Sequence, residues 1–135
     1  MIVVDTNILA HLFICGEFSG AAEQVYAKDP QWAAPLLWRS EFRNVLIKCM
    51  GKRHVGFDDA LDIMRAAEYL MADKEYAVPS DDVLRLASVS GCTAYDAEFV
   101  VLARDLGTKL VTTDKQLRKL FPDKAIAPDR FAAGK

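Results

Sequence analysis

Four acidic residues stand where their neighbours leave little room for solvated charge. Asp5 follows Met1-Ile2-Val3-Val4, an apolar run that reads as a strand buried on both faces. Asp114 closes Leu110-Val111-Thr112-Thr113-Asp114 in the same way. On a helix turning about 100° per residue, Trp38, Phe42, Val45, Leu46 and Cys49 form one apolar arc, and Glu41 lies on its border. On another helix, Tyr95, Phe99, Val100, Leu102, Ala103 and Leu106 set the apolar side, and Asp96 falls inside it. Each acid also has an ordinary structural use. Asp5 and Asp114 can be helix N-caps, with Thr113 as an alternative to the latter. Glu41 can lay its stem on the core and its head in water. Asp96 can close a capping box from Thr93, although Glu or Gln normally fills that place.

Carboxylates gathered at a sheet edge need compensation, because buried unpaired charge is expensive. A hard divalent cation, Mg²⁺ or Mn²⁺, provides it and prefers oxygen ligands. Zinc is a poor match: His11 and Cys15 are one helical turn apart, but no second pair completes a site. Both read as packing residues. Glu98 lies nearer the border of its helix and stays outside the set of four.

The elements that must position these acids alternate. Strands are expected at Met1–Val4, Gln31–Ala34, Tyr76–Val78, Lys109–Thr112 and Ala125–Ala127. Helices are expected at Thr6–Cys15, Ala21–Ala27, Leu36–Met50, Phe57–Met71, Ser80–Val89, a helix capped by Thr93 and running to Leu106, and Asp114–Leu120. Strands separated by helices imply βαβ units and a parallel sheet covered on both faces. Ligands of such sheets bind outside the carboxyl ends of the strands, where Asp5 and Asp114 are delivered.

At 135 residues the chain reads as one domain, and 52% apolar against 27% charged residues suits a globule, not a disordered chain. No apolar run approaches the ~18 residues of a membrane span, and Asp5 interrupts the start too early for a signal peptide. Three cysteines without CxxC spacing suit a reducing cytoplasm. The net charge of −2 argues against electrostatic coating of nucleic acid. Charge is nevertheless segregated. Arg39, Arg43, Lys48, Lys52 and Arg53 cluster against Glu41 alone, and an acid-rich stretch from Phe57 to Asp82 follows.

The segments Val3-Val4-Asp5-Thr6-Asn7, Ser40-Glu41-Phe42-Arg43-Asn44, Tyr95-Asp96-Ala97-Glu98-Phe99 and Thr112-Thr113-Asp114 together resemble the PIN-domain ribonucleases. Order, spacing and length are most similar to the VapC-type toxins of bacterial toxin–antitoxin pairs, over essentially the whole chain. The resemblance implies a single PIN domain over 1–135, a three-layer α/β/α fold with a central parallel sheet of about five strands. It implies a pocket in which Asp5, Glu41, Asp96 and Asp114 bind Mg²⁺ or Mn²⁺, supported by Asn7 and Thr112 or Thr113. It further implies an RNA substrate, a homodimer, and a small antitoxin protein whose tail enters the groove.

On that reading a metal-activated water hydrolyses an RNA phosphodiester to a 5′-phosphate and a 3′-hydroxyl. Arg39, Arg43, Lys48, Lys52, Lys115 and Arg118 are candidate phosphate contacts, each with plain surface solvation as its alternative. Three rival readings remain. One is metal-free cleavage by His11 and His54. Another is an aspartyl-phosphate mechanism on Asp5, which Asn7 disfavours by standing where a second Asp is usual. The last is a non-catalytic PIN-like module that binds RNA or protein.

Overall fold

The computed structural model describes residues 1–14 and 16–134. Cys15, and with it the last position of the first expected helix, lies outside the described residues. The strands are β1 (Ile2–Val4), β2 (Trp32–Pro35), β3 (Glu75–Tyr76), β4 (Leu110–Val111) and β5 (Ala125–Ile126). The helices are α1 (Thr6–Phe13), α2 (Ser19–Lys28), α3 (Trp38–Gly51), α4 (Phe57–Met71), α5 (Ser80–Ser90), α6 (Ala94–Asp105), α7 (Lys115–Leu120) and α8 (Pro128–Ala133).

The five strands form one all-parallel sheet in the order β3-β2-β1-β4-β5. Ile2, Val3 and Val4 are buried because β1 has a strand on each side and helices on each face. Right-handed crossovers toward β2 and β3 put α1–α4 on one face; the return to β4 and on to β5 puts α5–α7 on the other. The α/β/α architecture expected from sequence is therefore observed. Trp32, Trp38, Phe42, Ile8 and Leu9 are the largest of its fully buried side chains. Among the described residues no single helix is long and apolar enough to cross a membrane.

Three expectations need correction. Tyr95 is 62% exposed and belongs to solvent; Val101, not Tyr95, completes the buried side of α6. The third strand ends at Tyr76, because Ala77 and Val78 lead into Pro79, which caps α5. Helix α8 was not expected at all, although Pro128 at its first position is a standard start. Lys28 holds α8 in place by donating to the carbonyls of Phe131 at 2.5 Å and Gly134 at 2.6 Å.

Candidate active site

β1 and β4 are neighbours, with Val3 opposite Leu110 and Val4 opposite Val111. After β1 the chain turns toward β2; after β4 it turns toward β5. The two loops diverge and leave a crevice at the point where the strand order reverses. Asp5 lies on one side of it and Thr112-Thr113-Asp114 on the other. The first turn of α3 adds Glu41, and the first turn of α6 adds Asp96. Asp5, Glu41, Asp96 and Asp114 line a single cleft of about 230 Å³. Thr6, Asn7 and Asn44 are also on its wall, and Val45, Phe99 and Leu117 give it apolar backing.

Asp5 serves as cap and cleft residue together. Its Oδ1 accepts the Ile8 amide at 3.1 Å, which starts α1, and its Oδ2 accepts the Thr112 hydroxyl. Burial pushes its carboxyl up from 3.8 to about 6, with the charges of Asp114 and Glu41 adding and the two hydrogen bonds opposing. Thr112 is fully buried, and its Oγ1 also accepts the Asp114 amide at 2.9 Å. One hydroxyl thus joins the ends of the two central strands.

Asp114 caps α7 through Oδ1, which accepts the Gln116 and Leu117 amides at 2.8 and 3.1 Å. Thr113 is half-buried and off the cleft wall, so the cap and the acid are the same residue.

Glu41 is half-buried and accepts the Thr6 hydroxyl at 2.7 Å on Oε1. Burial holds its carboxyl above the usual range; Asp96 adds repulsion and the Thr6 bond works against both. Asp96 is raised as well, by burial first and by the Asp114 charge second, with the Thr93 hydroxyl opposing. Of the capping box only the Thr93 half forms among the described residues: the Asp96 amide donates to Thr93 Oγ1 at 3.0 Å, and no bond from the Thr93 amide to the Asp96 carboxylate returns it. Its carboxyl lines the cleft. Glu98 lies off this cleft, in a shallow depression with Val78, Ser80 and Val83. Burial and the Glu41 charge raise its carboxyl too.

Among the described residues none of the four acids has a Lys or Arg nitrogen within 4 Å. Nor do three of them converge closely enough to enclose an ion without help. The donor set is four carboxylates with no thiolate or imidazole. Such a set fits a hard cation that keeps part of its water shell, as Mg²⁺ and Mn²⁺ do.

The histidines are elsewhere. His11 packs against Phe18 with centroids 5.1 Å apart and rings tilted by 46°, His54 is exposed, and neither lines the cleft. Arg39 is also corrected. Its guanidinium bonds Glu75 Oε2 and Glu68 Oε2, both at 2.8 Å, so it ties α3 to β3 and α4 and is not a free phosphate contact. Thr6 stands at the expected start of the first helix, and its bond to Glu41 gives it a place in the site. Asn44 was inside a quoted motif; its place one turn beyond Glu41 on the same helix was the signal for its role on the wall.

Fold and site together define an α/β/α domain whose acids meet at the switch point of a parallel sheet. The chain belongs to the PIN domain family, whose model matches residues 2–120. It is 33% identical over 124 residues to ribonuclease VapC3 of Pyrobaculum aerophilum, covering 90% of this chain and 95% of that protein. A crystal structure of a protein from Pyrobaculum aerophilum aligns with a TM-score of 0.73 at 26% identity, covering 98% of this chain and 97% of that one. A toxin–antitoxin complex from Klebsiella pneumoniae contains a chain with the same fold, at TM-score 0.68 and 21% identity, covering 95% and 98%.

Proposed function

We propose that this chain is a Mg²⁺- or Mn²⁺-dependent endoribonuclease and the toxin of a toxin–antitoxin pair, working in the cytoplasm. The observation that carries the reading is the set of four acids, without cationic partners among the described residues, drawn from four segments to one cleft. The similarity to ribonuclease VapC3 supports RNA as substrate. The fold shared with the Klebsiella pneumoniae complex agrees with a cognate antitoxin as partner.

When bound, the cation supplies Lewis acidity toward water and phosphate oxygens. Asp5, Asp96 and Asp114 hold it, with Glu41 acting directly or through a water. Thr112 fixes the orientation of Asp5, and Thr6 does the same for Glu41. Asn7 and Asn44, exposed on the cleft wall, offer amide donors to phosphate oxygens of the strand. Val45, Phe99 and Leu117 restrict water on the inner wall, which strengthens each electrostatic contact. The products are a 5′-phosphate and a 3′-hydroxyl.

The test is cleavage of varied RNAs by purified protein with Mg²⁺, with Mn²⁺ and with EDTA. Cleavage should require the cation and should vanish in Asp5→Asn and Asp96→Asn, as should growth arrest on induction in bacteria. Cleavage that survives chelation, or its absence on every RNA, overturns the reading. A homodimer that leaves the groove open is part of the proposal. Leu84, Val89 and Tyr95, exposed on α5 and α6, offer apolar surface for it. A concentration-independent monomer in light scattering removes that part.

A further inference from the structure

A second cavity of about 330 Å³ opens at the β5 edge of the sheet, sharing α7 with the acidic cleft: Leu117 lines the cleft and Arg118 this cavity. Three cations line it: Lys109 from the start of β4, Arg118 from α7 and Arg130 from α8. Pro122 and Ile126 also line it, and among the described residues no Asp or Glu does. Among the described residues none of the three cations has a carboxylate oxygen within 4 Å. This occurs on a chain with a net charge of −2, where acids outnumber bases.

Two of the cations are preset by backbone carbonyls. Lys109 Nζ donates to the Asp123 carbonyl at 2.6 Å, and Arg118 Nη1 donates to the Thr112 carbonyl at 3.0 Å. Each spends one donor this way, out of three on an ammonium and five on a guanidinium. The rest remain for an anion with several acceptor oxygens. The Arg118 anchor also ties this cavity to the acidic cleft: the carbonyl of Thr112 holds Arg118, and its hydroxyl holds Asp5. Thr112 thus contacts a lining residue of each.

We propose that the Lys109–Arg118–Arg130 cavity is a phosphate subsite, taking a phosphodiester of the RNA strand whose scissile bond lies in the acidic cleft. The identity of that strand rests on the ribonuclease reading above; the anion chemistry does not. An acidic cleft repels a polyanion, so a nuclease of this charge needs cations beside the cleft to retain its substrate. The competing account is that Lys and Arg merely guard an exposed edge strand against pairing with another chain.

The experiment measures fluorescence anisotropy of a labelled single-stranded RNA in EDTA, where no cleavage occurs. Lys109→Gln combined with Arg130→Gln should raise Kd about tenfold at low salt. It should also flatten the slope of log K against log salt by about 0.7, the value of one single-strand phosphate. A control pair on α4 and before β3, Arg65→Gln with Lys74→Gln, should stay within about twofold. Equal losses in the two pairs, or none in either, overturn the subsite and leave edge protection. If the first pair melts early, Arg130→Gln alone, at an exposed position, carries the same comparison. Inorganic phosphate at constant ionic strength should compete with RNA on the unaltered protein and not on the pair. If phosphate raises the Tm of the unaltered protein only, while the RNA affinities are equal, the cavity serves free phosphate and the proposal fails. Cleavage by the unaltered protein in Mg²⁺ is scored separately: its absence sinks the ribonuclease reading, whereas equal RNA affinities sink the subsite alone.

Discussion

Thr6 and Glu41 are joined across 2.7 Å, the hydroxyl at the start of α1 donating to the carboxylate in the first turn of α3. Thr6 follows Asp5 directly, so this bond sets the position of one acid by the backbone that carries another. Thr6→Val should remove it at nearly constant volume and leave Glu41 half-buried with one partner fewer. The expected cost is about 1–3 kcal/mol in urea unfolding, together with a weaker Mg²⁺-induced rise in Tm. Thr6→Ser should restore both. If Val and Ser behave alike, the hydroxyl is incidental.

The metal-free protein should lose stability as pH rises. Asp5 has a folded pKa near 6 against 3.8 for its ordinary value, so the folded chain binds the extra proton between these limits. Its contribution is fully present below about pH 4 and is lost as pH passes through 6, on the order of 3 kcal/mol. Urea midpoints in EDTA at pH 4 and pH 7 test this against Asp5→Asn, which should lack most of the decline. The same decline in both proteins would assign it to other groups.

Asp96→Asn removes the charge that repels Glu41 and Asp114 while keeping size. In EDTA at pH 7 it should melt slightly higher than the unaltered protein; the gain is small because the site is half-exposed. Mg²⁺ at about 100 times its dissociation constant should stabilise the unaltered protein by roughly 2.7 kcal/mol and the variant by clearly less. A variant that is less stable in EDTA, yet equally responsive to Mg²⁺, would show that Asp96 serves the helix and not the cation.

Glu75 gathers the start of α3, accepting Trp38 Nε1 at 2.7 Å and Arg39 Nη2 at 2.8 Å. Arg39 holds its carboxyl below the ordinary range, chiefly by hydrogen bonding. That contribution is present above about pH 4.5 and is lost as pH falls through the lowered value, the opposite direction to Asp5. Glu75→Gln should cost about 1–3 kcal/mol near neutrality and much less in acid. Arg39→Lys should likewise lower Tm, since a lysine cannot span Glu75 and Glu68 together. RNA affinity measured in EDTA should stay within about twofold in both; a large loss would return Arg39 to the phosphate contacts.

Much of this arrangement is legible in the chain because it is local. An acid ending an apolar strand, or lying in the apolar arc of a helix, is visible in a window of ten residues, which is why Asp5, Asp96 and Asp114 stand out. Strand order is not local, but alternation and handedness restrict it closely. What escaped depends on how distant elements dock. The Thr6–Glu41 and Arg39–Glu75 bonds each join residues some 35 positions apart, and no spacing rule reports them. Tyr95 shows another limit: it shares the helix face of Phe99 and Leu102, yet in the first turn of α6 its ring is exposed, and periodicity alone does not report where along a helix burial begins.

The order of the strands also governs when the site comes into being. β1 is the first strand of the sheet in sequence and lies at its centre, but its partner β4 begins at Leu110. A chain growing from β1 therefore carries Asp5 and Glu41 long before Thr112 exists to bond Asp5 or Asp114 exists to face it. Until β4 has formed, one edge of β1 is open and the switch point that makes the crevice is absent. A ribosome-bound chain halted before Leu110 should bind neither Mg²⁺ nor RNA at that edge. The non-local pairing at the centre of the sheet thus ties completion of the acid cluster to the arrival of β4, late in the chain.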